Sequence, residues 1–71
     1  MTGLELAAIR NATGLGVVAF GRALGYAGSM NTVSVLVRRY EDDIKPIPPT
    51  IARLARMFQL HGVPADWVRE P

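Results

Sequence analysis

Apolar residues recur along this chain at helical spacing, and no stretch alternates with period two for long enough to predict a strand. Leu6, Ile9 and Thr13 share one stripe of a predicted first helix over Gly3 to Thr13, with Ala12 beside them. Thr2 and Glu5 stand at T-x-x-E spacing ahead of it, the pattern of a capping box, and Gly14 supplies a left-handed stop. A second helix is expected from Gly16 to Leu24, with Leu15, Phe20 and Leu24 turned to the core and Gly25 at its end. Residues 26–30 read as a loop bracketed by Gly25 and Gly28.

Asn31 is the expected N-cap of a third helix running to Glu41. Val33, Leu36 or Val37, and Tyr40 have the spacing of its buried face. A loop over residues 42–48 follows, with Ile47 placed to staple the next helix from outside its start. Pro48, Pro49 and Thr50 open a fourth helix, where proline sacrifices no hydrogen bond because first-turn amides are unpaired. Ile51, Leu54, Phe58 and His61 form its predicted stripe, and Gly62 ends it. Residues 63–68 make one last short turn, with Pro64 near its start and Trp67 covering the core.

The pattern thus predicts a single all-α domain of four to five helices over residues 1–71. Within that frame several segments are familiar together: Gly14-Leu15, the run Phe20-Gly21-Arg22-Ala23-Leu24-Gly25, the triplet Arg39-Tyr40-Glu41, and the run from Pro46 to Ala55. As a set they resemble the lambda-repressor-like (Cro-like) helix-turn-helix family, over nearly the whole chain. The resemblance implies a DNA-binding scaffold whose third helix enters the major groove. It also implies a polar pair, threonine or serine followed by glutamine, at the start of the second helix to touch phosphate. After the arginine–aromatic–glutamate triplet the family usually turns at a glycine, whereas here Asp42 and Asp43 follow.

The sequence departs from the family on the face that reads DNA. Gly16-Val17-Val18-Ala19 stands where the polar pair belongs, and valine cannot bond a phosphate oxygen. With Val33, Val37 and Tyr40 inward, the third helix points Ser34, Val35, Arg38 and Arg39 outward, with Leu36 on the border and Met30 ahead of them. Departures concentrated on one face of an intact framework read as an interface built on the scaffold, by design or in a self-associating variant. The first expectation is therefore a protein-binding module. Its site is an apolar patch of Val17, Val18, Met30, Val35 and Leu36, with Ser34 and Arg38, and its occupant is a protein partner or a second copy. The alternative is a sequence-specific repressor that binds DNA as a dimer, with Asn31, Ser34, Arg38 and Arg39 facing the groove. Valine touching a thymine methyl is compatible with that reading.

Charge changes this picture little. Eight Lys and Arg against six Asp and Glu leave a formal +2, with a pI near 9.7, which permits nucleic acid without arguing for it. Asp42 and Asp43 read as a solvated acidic turn, and Arg39 as a surface partner for Glu41 or Glu5, a pairing worth little. His61 reads as a helix-end residue near the dipole. With no cysteine and a single histidine, neither a disulfide nor a metal cluster is expected. No Ser/His/Asp set and no nucleotide-cradling glycine loop is present, so no enzymatic activity, cofactor or small-molecule substrate is expected. No run approaches the roughly 18 apolar residues of a membrane span, and residues 1–8 do not form a signal peptide, which together suggest a cytoplasmic setting and no membrane partner.

Overall fold

A computed structural model describes residues 1–68. Among them the chain forms four α-helices and a closing turn, with no strand: α1 (Gly3–Thr13), α2 (Val17–Ala23), α3 (Met30–Glu41), α4 (Pro49–His61) and a 3₁₀ turn over Ala65–Val68. The all-α expectation holds. No helix in this stretch is long and apolar enough to cross a membrane.

Local sequence explains most of the helix ends. Thr2 Oγ1 accepts the Glu5 amide at 3.1 Å, and Glu5 Oε1 accepts the Thr2 amide at 3.0 Å, so the capping box closes as its spacing predicts. α1 stops at Gly14, in the left-handed region. Pro49 takes the first position of α4, where its missing N–H is no loss. α2 is shorter than expected by about a residue at each end, running from Val17 to Ala23 rather than from Gly16 to Leu24. Its N-cap, Gly16, has no side chain with which to cap, so the helix begins only where the backbone ladder does.

α3 begins earlier than expected. Its N-cap is Ser29, whose Oγ accepts the Thr32 amide at 3.1 Å, and Asn31 lies inside the first turn. Ser29 Oγ also lies 2.9 Å from Thr32 Oγ1, which ties the cap side chain to that turn. Serine and asparagine are about equally good caps, so the extra helical residues gained by starting at Met30 decide between them.

The core collects one stripe from each helix. Leu6 and Ile9 come from α1, Phe20, Ala23 and the following Leu24 from α2, Val33, Val37 and Tyr40 from α3, and Ala55 and Phe58 from α4. Phe20 and Phe58 meet edge to face at 6.3 Å, joining α2 to α4 across the centre. Ile47, Ile51 and Leu54 pack around this nucleus. His61, expected on the α4 stripe, is exposed instead, and Ala55 fills the buried position on that face. The Trp67 ring stands edge-on to Phe58 at 5.8 Å and remains 43% exposed, so it lies over the core as an outer cover.

Two contacts fix how α3 sits against its neighbours. Gly21 faces α3 so closely that a Cβ there would overlap Val33 Cγ1 and stand 3.0 Å from Val37 Cγ2. At the other end of α3, the start of α1 lies against its last turn, and a Cβ on Gly3 would overlap the Glu41 carbonyl.

Candidate functional site

The α2–α3 pair is the part of the fold that the sequence points to, and its supports come from distant positions. Arg10 of α1 reaches Glu41 at the end of α3 through two parallel bonds, Nε to Oε2 at 2.6 Å and Nη2 to Oε1 at 3.2 Å. Arg10 Nη1 also donates to the Leu15 carbonyl at 3.2 Å, so one guanidinium clamps the α3 end and the α1–α2 turn together. The two side chains are only 19% and 11% exposed. The expected pairing of Arg39 with Glu41 or Glu5 is not made. Glu41 is taken by Arg10, and Glu5 by Arg56 Nη2 of α4 at 2.8 Å. The Thr2 amide first, and Arg56 second, hold the Glu5 carboxyl below its ordinary pKa.

Asp43 is not merely a solvated acid, as expected. It carries φ of 57°, where a glycine commonly stands after a helix. The Asp43 amide returns to the Tyr40 carbonyl and the Ile44 amide to the Arg39 carbonyl at 2.9 Å, the paired bonds of a Schellman stop. Its Oδ1 accepts the Gly3 amide at 2.8 Å, adding a second cap to α1. The aspartate thus forms the turn usually left to glycine, and its carboxylate repays part of the left-handed strain. Tyr26, from the loop before α3, completes the frame with an oxygen–oxygen contact of 2.8 Å to Tyr40. Burial first, and that hydrogen bond second, push the Tyr26 phenol well above its ordinary value.

On this frame α3 presents its outer side. Asn31, Arg38 and Arg39 are exposed and Ser34 is half-buried. At about 100° per residue, Asn31, Ser34 and Arg38 fall within about 60° of one another around the helix, with Asn31 turned away from Val33, Val37 and Tyr40 and the half-buried Ser34 bordering Val37. Val35 flanks this stripe at 36% exposure. Neither Arg38 nor Arg39 pairs with a carboxylate among the described residues.

The apolar positions are distributed more widely. Val17 and Leu36 are half-buried and pack against the core. Val18 is half-buried, and Met30 stands 59% exposed at the first position of α3. Met30 and Val35 point about 140° apart around the helix axis. Val35 and Leu36 do meet, with Asn31, Thr32 and Arg39, along a shallow groove of about 330 Å³.

Sequence reasoning placed Arg38 and Arg39 correctly as outward cations but missed Arg10, Asp43 and Tyr26, which hold α3 in place. Glycine's usual place after the triplet was the one signal that marked Asp43. No family model matches the chain, and no curated protein or solved structure matches it either.

Proposed function

We propose that this domain binds duplex DNA, with α3 as the helix that enters the major groove. The observation that carries the reading is the stripe of Asn31, Ser34 and Arg38 along one side of α3, next to a face anchored in the core. Asparagine and arginine are the usual readers of adenine and guanine edges, serine reads either, and Val35 beside them suits a thymine methyl. Among the described residues neither Arg38 nor Arg39 forms an ion pair with a carboxylate, which leaves both exposed guanidinium groups available to phosphate or base. The close α2–α3 contact through Gly21 and the sequence features shared with lambda-repressor-like proteins favour a helix-turn-helix arrangement. By that resemblance the domain acts as a repressor, a dimer reading two half-sites one helical turn apart.

Fluorescence anisotropy with random-sequence duplex, titrated from low to physiological salt, tests the proposal. Binding should fall linearly on logarithmic axes. Arg38→Ala and Arg39→Ala should each weaken it, and each should lower the salt slope by about one where the arginine meets phosphate. No binding at low salt overturns it.

One observation favours a second reading, a protein-binding face. The groove along Val35 and Leu36 offers an apolar floor next to Arg39. That reading predicts a complex, with a partner protein or a second copy, that forms without DNA. Self-association would appear in sedimentation and be lost in Val35→Glu.

A further inference from the structure

Asn31, Val35 and Arg39 follow one another along α3 at four-residue steps, about 6 Å apart on the axis and each about 40° from the next around it. Thr32 and Leu36 form the neighbouring row, and the shallow groove of α3 is lined by these five side chains. Its middle is apolar. Leu36 is half-buried against the core, and Val35 stands partly open to solvent beside it. The polar side chains differ in what they have to offer. Thr32 Oγ1 is engaged with Ser29 Oγ at 2.9 Å. Asn31 makes no side-chain hydrogen bond and Arg39 no ion pair among the described residues. None of the lining side chains is a carboxylate. The groove thus presents a carboxamide, then an apolar step, then a cation, in that order along the helix.

From this order we infer that the groove takes the 5-methyl group of a thymine, so that Val35 and Leu36 select an A·T pair at one fixed position of each half-site. The inference rests on the DNA reading of α3 proposed above, and names what that helix selects. In the major groove the methyl is the one apolar group that distinguishes thymine from the other three bases. Laid against Val35 and Leu36, it leaves water for an apolar surface. Asn31, about 6 Å earlier on the helix, stands over a nearby pair, where its carboxamide matches N6 and N7 of adenine. Arg39, the same distance beyond Val35, extends to the phosphates, which fix register without reading sequence. A 5-methylcytosine carries the same methyl beside an amino donor at N4. That donor calls for an acceptor such as a carboxylate, which the groove does not supply, so thymine is the better ligand.

The test first selects duplexes from a random pool against the full chain. The best binder is then remade with deoxyuridine in place of each thymine in turn. Uracil keeps the hydrogen-bonding edge of thymine and lacks only the methyl. By fluorescence anisotropy at one salt concentration, a single thymine in each half-site should lose about fourfold in affinity on replacement, the worth of one buried methyl group. At that position 5-methylcytosine should bind better than cytosine and worse than thymine. Val35→Ser should bind the thymine and uracil duplexes alike. Arg39→Ala should weaken both equally and keep the fourfold ratio. A pool that enriches no common sequence, a wild type indifferent to uracil at every position, or a ratio that survives Val35→Ser would each overturn the inference while DNA binding itself stands. No binding to any duplex at low salt overturns the DNA reading together with it. Should Val35→Ser fail to fold, the uracil substitutions on the unaltered chain still decide the question.

Discussion

Gly21→Ala puts a methyl group between α2 and α3 where the packing leaves room for a hydrogen. The new carbon would overlap Val33 Cγ1 and press on Val37 Cγ2 at 3.0 Å. Both valines are fully buried, and a β-branched side chain in a helix has one strongly preferred rotamer, so neither swings aside freely. The helices must separate instead, and overpacking of this kind costs about 1–3 kcal/mol. Against it stands the better helix propensity of alanine, about 1 kcal/mol at most in a helix interior. The steric term wins, leaving a net loss of about 1–2 kcal/mol. For a domain of this size that corresponds to a fall of roughly 5–15 °C in melting temperature. Thermal and urea unfolding followed by circular dichroism at 222 nm measure it. A double-mutant cycle isolates the cause. Val33→Ala alone opens a cavity and costs about 2 kcal/mol, but the added methyl of Gly21→Ala fills part of that space, so the pair should be more stable than the sum by about 1 kcal/mol. A neutral or stabilising Gly21→Ala, or two penalties that simply add, would refute the close helix contact and with it the placement of α3.

Three further outcomes follow from the supports of α3. Glu41→Gln leaves the poorly exposed Arg10 guanidinium without its charge partner and should cost about 3 kcal/mol, whereas replacing both residues with apolar ones of similar volume should cost far less; urea midpoints of the two variants and the wild type compare them. Asp43→Ala loses the bond to the Gly3 amide while keeping the left-handed strain, and should cost about 2 kcal/mol. Asp43→Gly loses the bond but relieves the strain, so it should fall between Asp43→Ala and wild type. Tyr26 holds its proton more tightly folded than unfolded, so its stabilisation is complete below its ordinary value of 10.0 and is lost as pH rises from there through the folded value. The stability gap between wild type and Tyr26→Phe should therefore narrow above about pH 10, and tyrosinate absorbance at 295 nm should show one phenol that ionises late.

Helix positions were legible wherever the signal lies within one or two turns of chain. The bounds of α1 follow from Thr2, Glu5 and Gly14, all adjacent to the helix they delimit. The α3 stripe of Val33, Val37 and Tyr40 follows from spacing alone. The start of α3 did not follow, because Ser29 and Asn31 are both good caps and the same buried face results from either. His61 continues the α4 stripe by periodicity, but it falls in the last turn, beyond the reach of the core. What sequence does not show is pairing across the fold. Arg10 and Glu41 are 31 residues apart, and Gly3 and Asp43 are 40 apart. Charge alone gives Glu41 several equivalent partners, and only the packing of α1 against the end of α3 selects Arg10.

The same distinction bears on the candidate site. Composition makes Val17, Val18, Met30, Val35 and Leu36 look like one surface because they are close in sequence and all apolar. A helix distributes neighbours around its axis, and a small core recruits whatever apolar side chain it can reach. Val17 and Leu36 accordingly pack against the core, while Met30 and Val35 point well apart. Asn31, Ser34 and Arg38 carry no common chemical label, yet the helical repeat brings them to one side. Their register depends on a frame set by Gly21, the Arg10–Glu41 clamp and the Asp43 turn, none of which touches the outer face. If α3 reads DNA, Glu41→Gln should therefore weaken binding in proportion to its effect on folding. Arg38→Ala should weaken binding with the unfolding midpoint unchanged, and the two measurements together separate the residues that hold the helix from those that read with it.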